Sequence, residues 1–301
     1  MLIGMLTWAA AATQAAEELV VTPGEPVAAT VDGRAARLLV DSGGVDRVTL
    51  DEDYVAANAI KPGFLIGGAA LSVAGRREFQ GRNRPVTLVV AGRTLKGRAF
   101  WFKGAPDSGV DGRVGPYGLP QPRVTFTLAA GRAGETVTRL PLVGGGNSGS
   151  YAAVRFGDRN VPLSLAVEDD GRMPVATAAL GAAIAREYGG ALEGATWDVE
   201  ILLGVKRPVR LMRLARPLEI GPLSFDRIAV RVRDRIDESG RGATIPEAGE
   251  VEDPDEVVVT AKAGGRPPAF GMTLPRATLA GCSRLTYDKT AGKIELVCAK
   301  S

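Results

Sequence analysis

The residues best suited to chemistry in this chain are carboxylates. Asp41-Ser42-Gly43 follows an apolar run, Leu38-Leu39-Val40, and Val48-Thr49-Leu50 resumes the apolar pattern a few residues later. An acid is thus placed on a tight turn at the end of a buried strand. A second acidic stretch, Glu168-Asp169-Asp170, follows another apolar run, Leu163-Ser164-Leu165-Ala166-Val167. Two carboxylates held close share one proton, because like charges at that distance do not both ionise. The ionised member then takes a proton from water while the protonated member polarises a carbonyl. Asp41 is the candidate principal acid, with Ser42 and Gly43 beside it, and Glu168, Asp169 or Asp170 is a candidate second acid.

The composition narrows the alternatives. The chain of 301 residues contains no histidine, which removes Ser-His-Asp and Cys-His catalysis and the commonest zinc ligand. Two cysteines do not build a structural zinc site alone, so neither a metal nor another cofactor is expected. The net charge of +3 comes from scattered Arg and Lys without a dense basic run, which gives no support for nucleic-acid binding.

The elements that must position these residues read as β-structure. With 39 Gly, 19 Pro and short apolar runs, the chain predicts many strands and turns, and its length predicts two domains. Val27–Val31 and Ala36–Val40 form a hairpin pattern about Asp32-Gly33, and a short helix is expected over 51–60 with Asp51 as its cap. Residues 62–83 read as loops around a short hairpin, followed by strands from Pro85 to Val90 and from Gly97 to Phe102. Gly144–Ser150 reads as a flexible linker. Beyond it a weak repeat emerges: Val154–Val167 matches the hairpin leading into Asp41, Thr177–Tyr188 is helical like 51–60, and 207–232 echo 84–102. The expected organisation is an N-terminal lobe over 17–143, a linker over 144–150, and a C-terminal repeat lobe over 151–301. The latter carries an acidic insertion at 237–256 and a C-terminal hairpin.

The ends of the chain point to export. Residues 1–16 are apolar, finish in small residues and precede Glu17-Glu18, the pattern of a secretory signal peptide, although the positive leading region is missing. Cys282 and Cys298 bracket two alternating segments joined by Asp288–Gly292, so a disulfide would staple the open end of a hairpin. Two reduced, buried thiols are the alternative. A periplasmic or secreted location follows from the signal and the disulfide, with no stable membrane span.

The first half resembles the retropepsin-like aspartic peptidases, including the bacterial periplasmic aspartyl proteases. Leu38-Leu39-Val40-Asp41-Ser42-Gly43 is similar to that family's catalytic loop. Val110-Asp111-Gly112-Arg113-Val114-Gly115, with Leu119 after it, is similar to the later segment that threads through that loop. The resemblance covers 25–140 well and 150–300 loosely. It implies an all-β fold of two lobes, an acid-protease-like β-barrel architecture. It also implies an exported endopeptidase or hydrolase acting on peptide or protein substrates in the interlobe cleft, Asp111 and Gly112 near the substrate, and the possibility of a homodimer, as in the viral members. Several departures matter. Arg113 replaces an apolar residue and is expected to pair with Asp41 and lower its pKa. Pro116 is unusual, the flap tip at Gly67-Gly68 or Gly75 lacks an aromatic, and the second loop lacks the Asp-Thr/Ser-Gly triplet. These departures imply the alternative function, a catalytically inactive binding or scaffold protein on the same fold. Residues 255–261 also resemble a segment near the start of the plug of outer-membrane receptors, a match too short to carry an expectation.

Overall fold

The structure is a computed structural model that describes residues 17–64, 67–73, 77–106, 109–145, 149–232 and 270–300. The expected signal peptide, Gly75, the acidic insertion and the 255–261 segment lie outside the described residues. The strands are β1 (Glu18–Val21), β2 (Val27–Val31), β3 (Arg34–Val40), β4 (Val48–Leu50), β5 (Gly68–Val73), β6 (Arg77–Val90), β7 (Arg93–Phe102), β8 (Gly112–Val114), β9 (Arg123–Thr127) and β10 (Thr136–Gly144). They continue as β11 (Ser150–Phe156), β12 (Arg159–Ala166), β13 (Val175–Ala176), β14 (Gly190–Leu202), β15 (Val205–Ile220), β16 (Leu223–Arg231), β17 (Met272–Pro275), β18 (Cys282–Asp288) and β19 (Lys293–Cys298). Two helices, α1 (Glu52–Ala57) and α2 (Ala178–Tyr188), complete an all-β fold.

Each half repeats one topology. The first seven-stranded sheet runs β2-β3-β8-β4-β7-β6-β5, and pairing of β2 with β6 closes six of these strands into a barrel. In the second half the order is β11-β12-β17-β13-β16-β15-β14, strand for strand the same. Register agrees as well as order. Leu38 opposes Val27 and, in parallel, Gly112. Leu163 opposes Ala152 and, in parallel, Met272. Each half then places its helix after the short strand that crosses beneath the loop. Thr177 caps α2 by accepting the Leu180 N–H, and Gly189 ends it at φ 73°. Asp51 stands at the cap position of α1 without a side-chain cap bond.

A third set of strands, β1-β9-β18-β19-β10, extends the second sheet through β10–β11. The C-terminal hairpin is therefore not part of the second repeat. It inserts between β9, from the first half, and β10, and its Cys282–Cys298 disulfide joins directly opposed residues. Its apolar residues Leu285, Tyr287, Ile294 and Leu296 are fully buried, and they belong to one core cluster that also takes in residues of both halves. The expected linker is paired at its ends, Gly144 with Ser150, while 146–148 lie outside the described residues. β6 begins at Arg77 rather than Pro85. Pro85 sits inside the strand opposite Arg98, and 77–82 pair on with β5. Among the described residues no helix is long and apolar enough to cross a membrane.

Candidate active site

Asp41 leaves the end of β3 with its N–H donated to the Val114 carbonyl, 3.0 Å away, so the threading strand β8 fixes where the turn begins. Its carboxylate Oδ1 accepts the Gly43 N–H at 3.0 Å. Gly43 is required by close approach: a Cβ there would lie 2.6 Å from the Ala166 Cβ. Ser42 is fully buried and its hydroxyl crosses to the other half. It donates to the Leu165 carbonyl at 2.5 Å and accepts the Val167 N–H at 3.0 Å. The Tyr287 hydroxyl approaches the Ser42 carbonyl from below, at 3.5 Å.

That bridge, together with strand register, identifies the residue opposite Asp41. Leu38 and Leu163 occupy equivalent register positions, so counting along each strand makes Val40 equivalent to Leu165 and Asp41 to Ala166. Ser42 grips the two backbone groups that flank Ala166. The second loop thus reads Ala166-Val167-Glu168 where the first reads Asp41-Ser42-Gly43, and the position facing Asp41 carries a methyl group.

The candidate second acids sit just beyond. Glu168 accepts the Gly24 N–H on both oxygens, at 3.1 and 2.9 Å. Asp169 accepts the Gly171 N–H at 2.8 Å, and Asp170 is exposed. Burial pushes the Glu168 and Asp169 carboxyls upward, and the charge of Asp41 adds a smaller push in the same direction. Both are therefore near enough to sense Asp41, yet each is engaged with its own backbone amide.

Arg113 points to Asp41 as the sequence anticipated, with its guanidinium 3.7 Å from Oδ2. The expected lowering of the Asp41 pKa does not follow. Burial raises it, and Arg113 with the Gly43 and Gly44 amides only opposes that rise. The reason is exposure: the Arg113 side chain is 41% exposed and Asp41 14%, so solvent screens the cation more than it solvates the acid. Asp111 and Gly112 are at the far end of β8, outside the lining of the cleft that holds Asp41. Asp111 accepts the Arg37 N–H at 2.7 Å, and a Cβ on Gly112 would lie 2.5 Å from the Thr49 carbonyl. These contacts hold β8 between β3 and β4.

A cleft of about 390 Å³ opens between the halves at Asp41. Five carboxylates (Asp41, Glu168, Asp169, Asp170 and Glu200) and one guanidinium, Arg113, line it. Its roof is apolar and comes from the tip of the β14–β15 hairpin, Ile201 to Leu203. A larger, more open groove of about 620 Å³ runs along β5, β6 and β7, but it contains none of the loop residues. Gly67 and Gly68 stand at the base of β5, away from the cleft lining.

Beneath the first loop lies a polar group that the sequence did not single out. Asp46 is 4% exposed and accepts from the Ser150 hydroxyl at 2.8 Å and the Tyr117 N–H at 3.0 Å. Burial pushes its carboxyl up to about 6. Lys289 donates to the Pro116 and Leu119 carbonyls at 3.1 and 2.6 Å, and burial lowers its ammonium to about 8 against the pull of Asp46. Ala166 was open to sequence reasoning: aligning the hairpin turns Asp32-Gly33 and Gly157-Asp158 gives the offset that carries Asp41 onto it. Asp46 carried no comparable signal. Among the described residues no cluster of acids and cysteines could hold a metal ion.

No protein-family model matches the chain, and no curated protein matches it.

Proposed function

We propose that the protein is a ligand-binding protein of an oxidising, exported compartment, built on an aspartic-peptidase-like architecture without the hydrolytic dyad. The observation that carries this reading is Ala166 at the position equivalent to Asp41. Water activation by this chemistry needs one carboxylate to accept a proton and a second to donate one. A lone Asp41 beside Arg113 supplies only the first. The Cys282–Cys298 disulfide supports a periplasmic or secreted setting. The charge of the cleft favours a cationic ligand, because a narrow acidic cleft concentrates counter-charge. An extended peptide bearing Lys or Arg fits that chemistry. Both halves come from one chain, so the site needs no second copy.

Calorimetric titration with short Lys- and Arg-containing peptides is expected to show salt-sensitive binding that acidic peptides of equal length lack. Incubation with an unfolded protein from pH 3 to 7 is expected to leave it uncut. Cleavage blocked by a pepstatin-like inhibitor and lost in Asp41→Asn would overturn the reading. A peptidase using Glu168 or Asp169 as its second acid has one point in its favour, that burial raises both carboxyls. Their bonds to the Gly24 and Gly171 amides weigh against it.

A further inference from the structure

We infer that a basic groove beside the β2–β3 turn, with Phe64 at its rim, docks the protein onto an anionic lipid surface. Four cations, Arg34, Arg84, Lys96 and Arg98, and a single acid, Asp32, line this open groove of about 670 Å³. The excess of three positive charges equals the net charge of the entire chain, so the remaining residues sum to zero. None of the groove residues lines the cleft at Asp41. The inference therefore stands apart from the cleft and its ligand.

Two hairpins bring the cations together. Asp32 and Gly33, at φ 50° and 77°, form the tight turn that Asp-Gly pairs favour, and Arg34 begins β3 exposed just after it. The turn is tied to β6. The Asp32 N–H donates to the Thr87 carbonyl at 2.9 Å, and Asp32 Oδ1 accepts the Thr87 N–H at 2.8 Å. Across the β6–β7 ladder Thr87 opposes Lys96 and Pro85 opposes Arg98. Two of the guanidinium groups are held in place. Arg84 meets Asp32 Oδ2 at 3.3 Å and donates to the Lys61 carbonyl at 3.5 Å. Arg98 donates through Nε to Oδ1 of the buried Asn83 at 2.7 Å. Like charges gathered this closely repel one another. Cations fixed in advance lose less freedom on meeting an anion, and guanidinium forks match phosphate oxygens.

Phe64 decides which phosphates these are. Its side chain is fully exposed, more so than any other large apolar side chain among the described residues. The Gly63 N–H donates to the Asn83 carbonyl at 2.9 Å, and the Asn83 N–H donates to the Gly67 carbonyl at 2.9 Å. The chain on either side of Phe64 is thus tied to the residue before Arg84, which sets the ring beside the groove. A lone exposed apolar residue is ordinary. Beside an unbalanced basic groove it completes the pair of components that interfacial binding uses. The cations meet headgroup phosphates, and the ring enters the acyl boundary. A soluble phosphorylated ligand would use the cations and leave the ring in water.

The test is co-sedimentation of the intact protein with lipid vesicles. Association is expected to be at least tenfold stronger with equal parts phosphatidylcholine and phosphatidylglycerol than with phosphatidylcholine alone, and to weaken as salt is raised. Residues 1–16 carry no charged side chain, so these dependences do not come from them. Arg34→Glu combined with Lys96→Glu, both at exposed positions, is expected to lower association with the mixed vesicles at least tenfold, and Phe64→Ser at least threefold. Arg132→Glu combined with Arg284→Glu makes the same change of net charge outside the groove, and is expected to keep association within twofold. Equal losses in the two double variants would overturn the inference. So would unchanged association in Phe64→Ser, or binding of tripolyphosphate without vesicle association. If the groove variant fails to fold, Phe64→Ser, altered only at a fully exposed side chain, decides together with the lipid comparison.

Discussion

The loops 41–46 and 166–171 have the same strands on either side and opposite contents. The first is a polar device: Asp41 held by Gly43, Ser42 reaching across, Asp46 buried below. The second is an apolar strand end, Ala166-Val167, with its acids displaced outward onto backbone amides. The contact between them is one-sided. Ser42 supplies both hydrogen bonds, and Val167, its equivalent, has no hydroxyl to return them. The lesson is that this architecture holds with an acid at the strand end of only one half, because what joins the halves is a hydroxyl, a shared core and the inserted β18–β19 hairpin rather than the acids.

The largest test of the comparison restores the missing acid. A166D would set a second carboxylate against Asp41, and one of the two must then keep its proton. We expect little change at pH 3 and a loss of about 4 kcal/mol at pH 7, read from urea unfolding at both values. Equal losses at the two values would mean that the introduced side chain does not face Asp41.

Next in size is the acid that only the first loop buries. The Asp46 carboxyl is raised from 3.8 to about 6, so the unfolded chain ionises first and this group's contribution to stability falls as pH rises through that interval. The full interval is worth about 3 kcal/mol. Asp46→Asn does not titrate, so the stability of the native chain relative to this variant is expected to drop by up to that amount between pH 3 and pH 7. A pH-independent difference would remove Asp46 from the account.

Ser42→Ala breaks the crossing bond and leaves the Val167 N–H and Leu165 carbonyl without that hydroxyl. The expected cost is about 2 kcal/mol in the same unfolding assay. A neutral substitution would show that the halves are joined by packing alone. The smallest effect belongs to Arg113. Its pair with Asp41 is half-exposed, and Arg113→Met should change stability by less than about 1 kcal/mol. The same substitution removes the charge that opposes burial, so the Asp41 carboxyl is expected to move further up in an NMR titration. A downward movement would mean that Arg113 acts on Asp41 by another route.

Much of the frame was legible in the sequence. The Asp32-Gly33 hairpin, the apolar strand into Asp41, the helix over 177–188 and the Cys282–Cys298 hairpin all follow from local signals, alternation and turn residues, whereas the threading segment at 112–114 rests on the family resemblance. The partner of Asp41 was harder to read. Positions 163–167 are buried without a break, so no alternation marks which residue ends the strand, and the nearest acids are at 168–170. Arg113 was legible as a partner of Asp41, but the direction of the Asp41 pKa was not, since burial depends on everything packed around the loop.

By itself, then, the sequence determined the elements and the chemistry they exclude: strands, turns, two related halves, and no histidine for any nucleophilic triad. Those are matters of residue type and short-range spacing. Only the tertiary structure decided that Ser42 bridges to the backbone on either side of Ala166, that Asp46 and Lys289 lie buried beneath the loop, and that Leu203 of one half roofs the other. Each depends on register between segments more than 100 residues apart, and register is fixed by packing and hydrogen bonding across the sheet rather than along the chain.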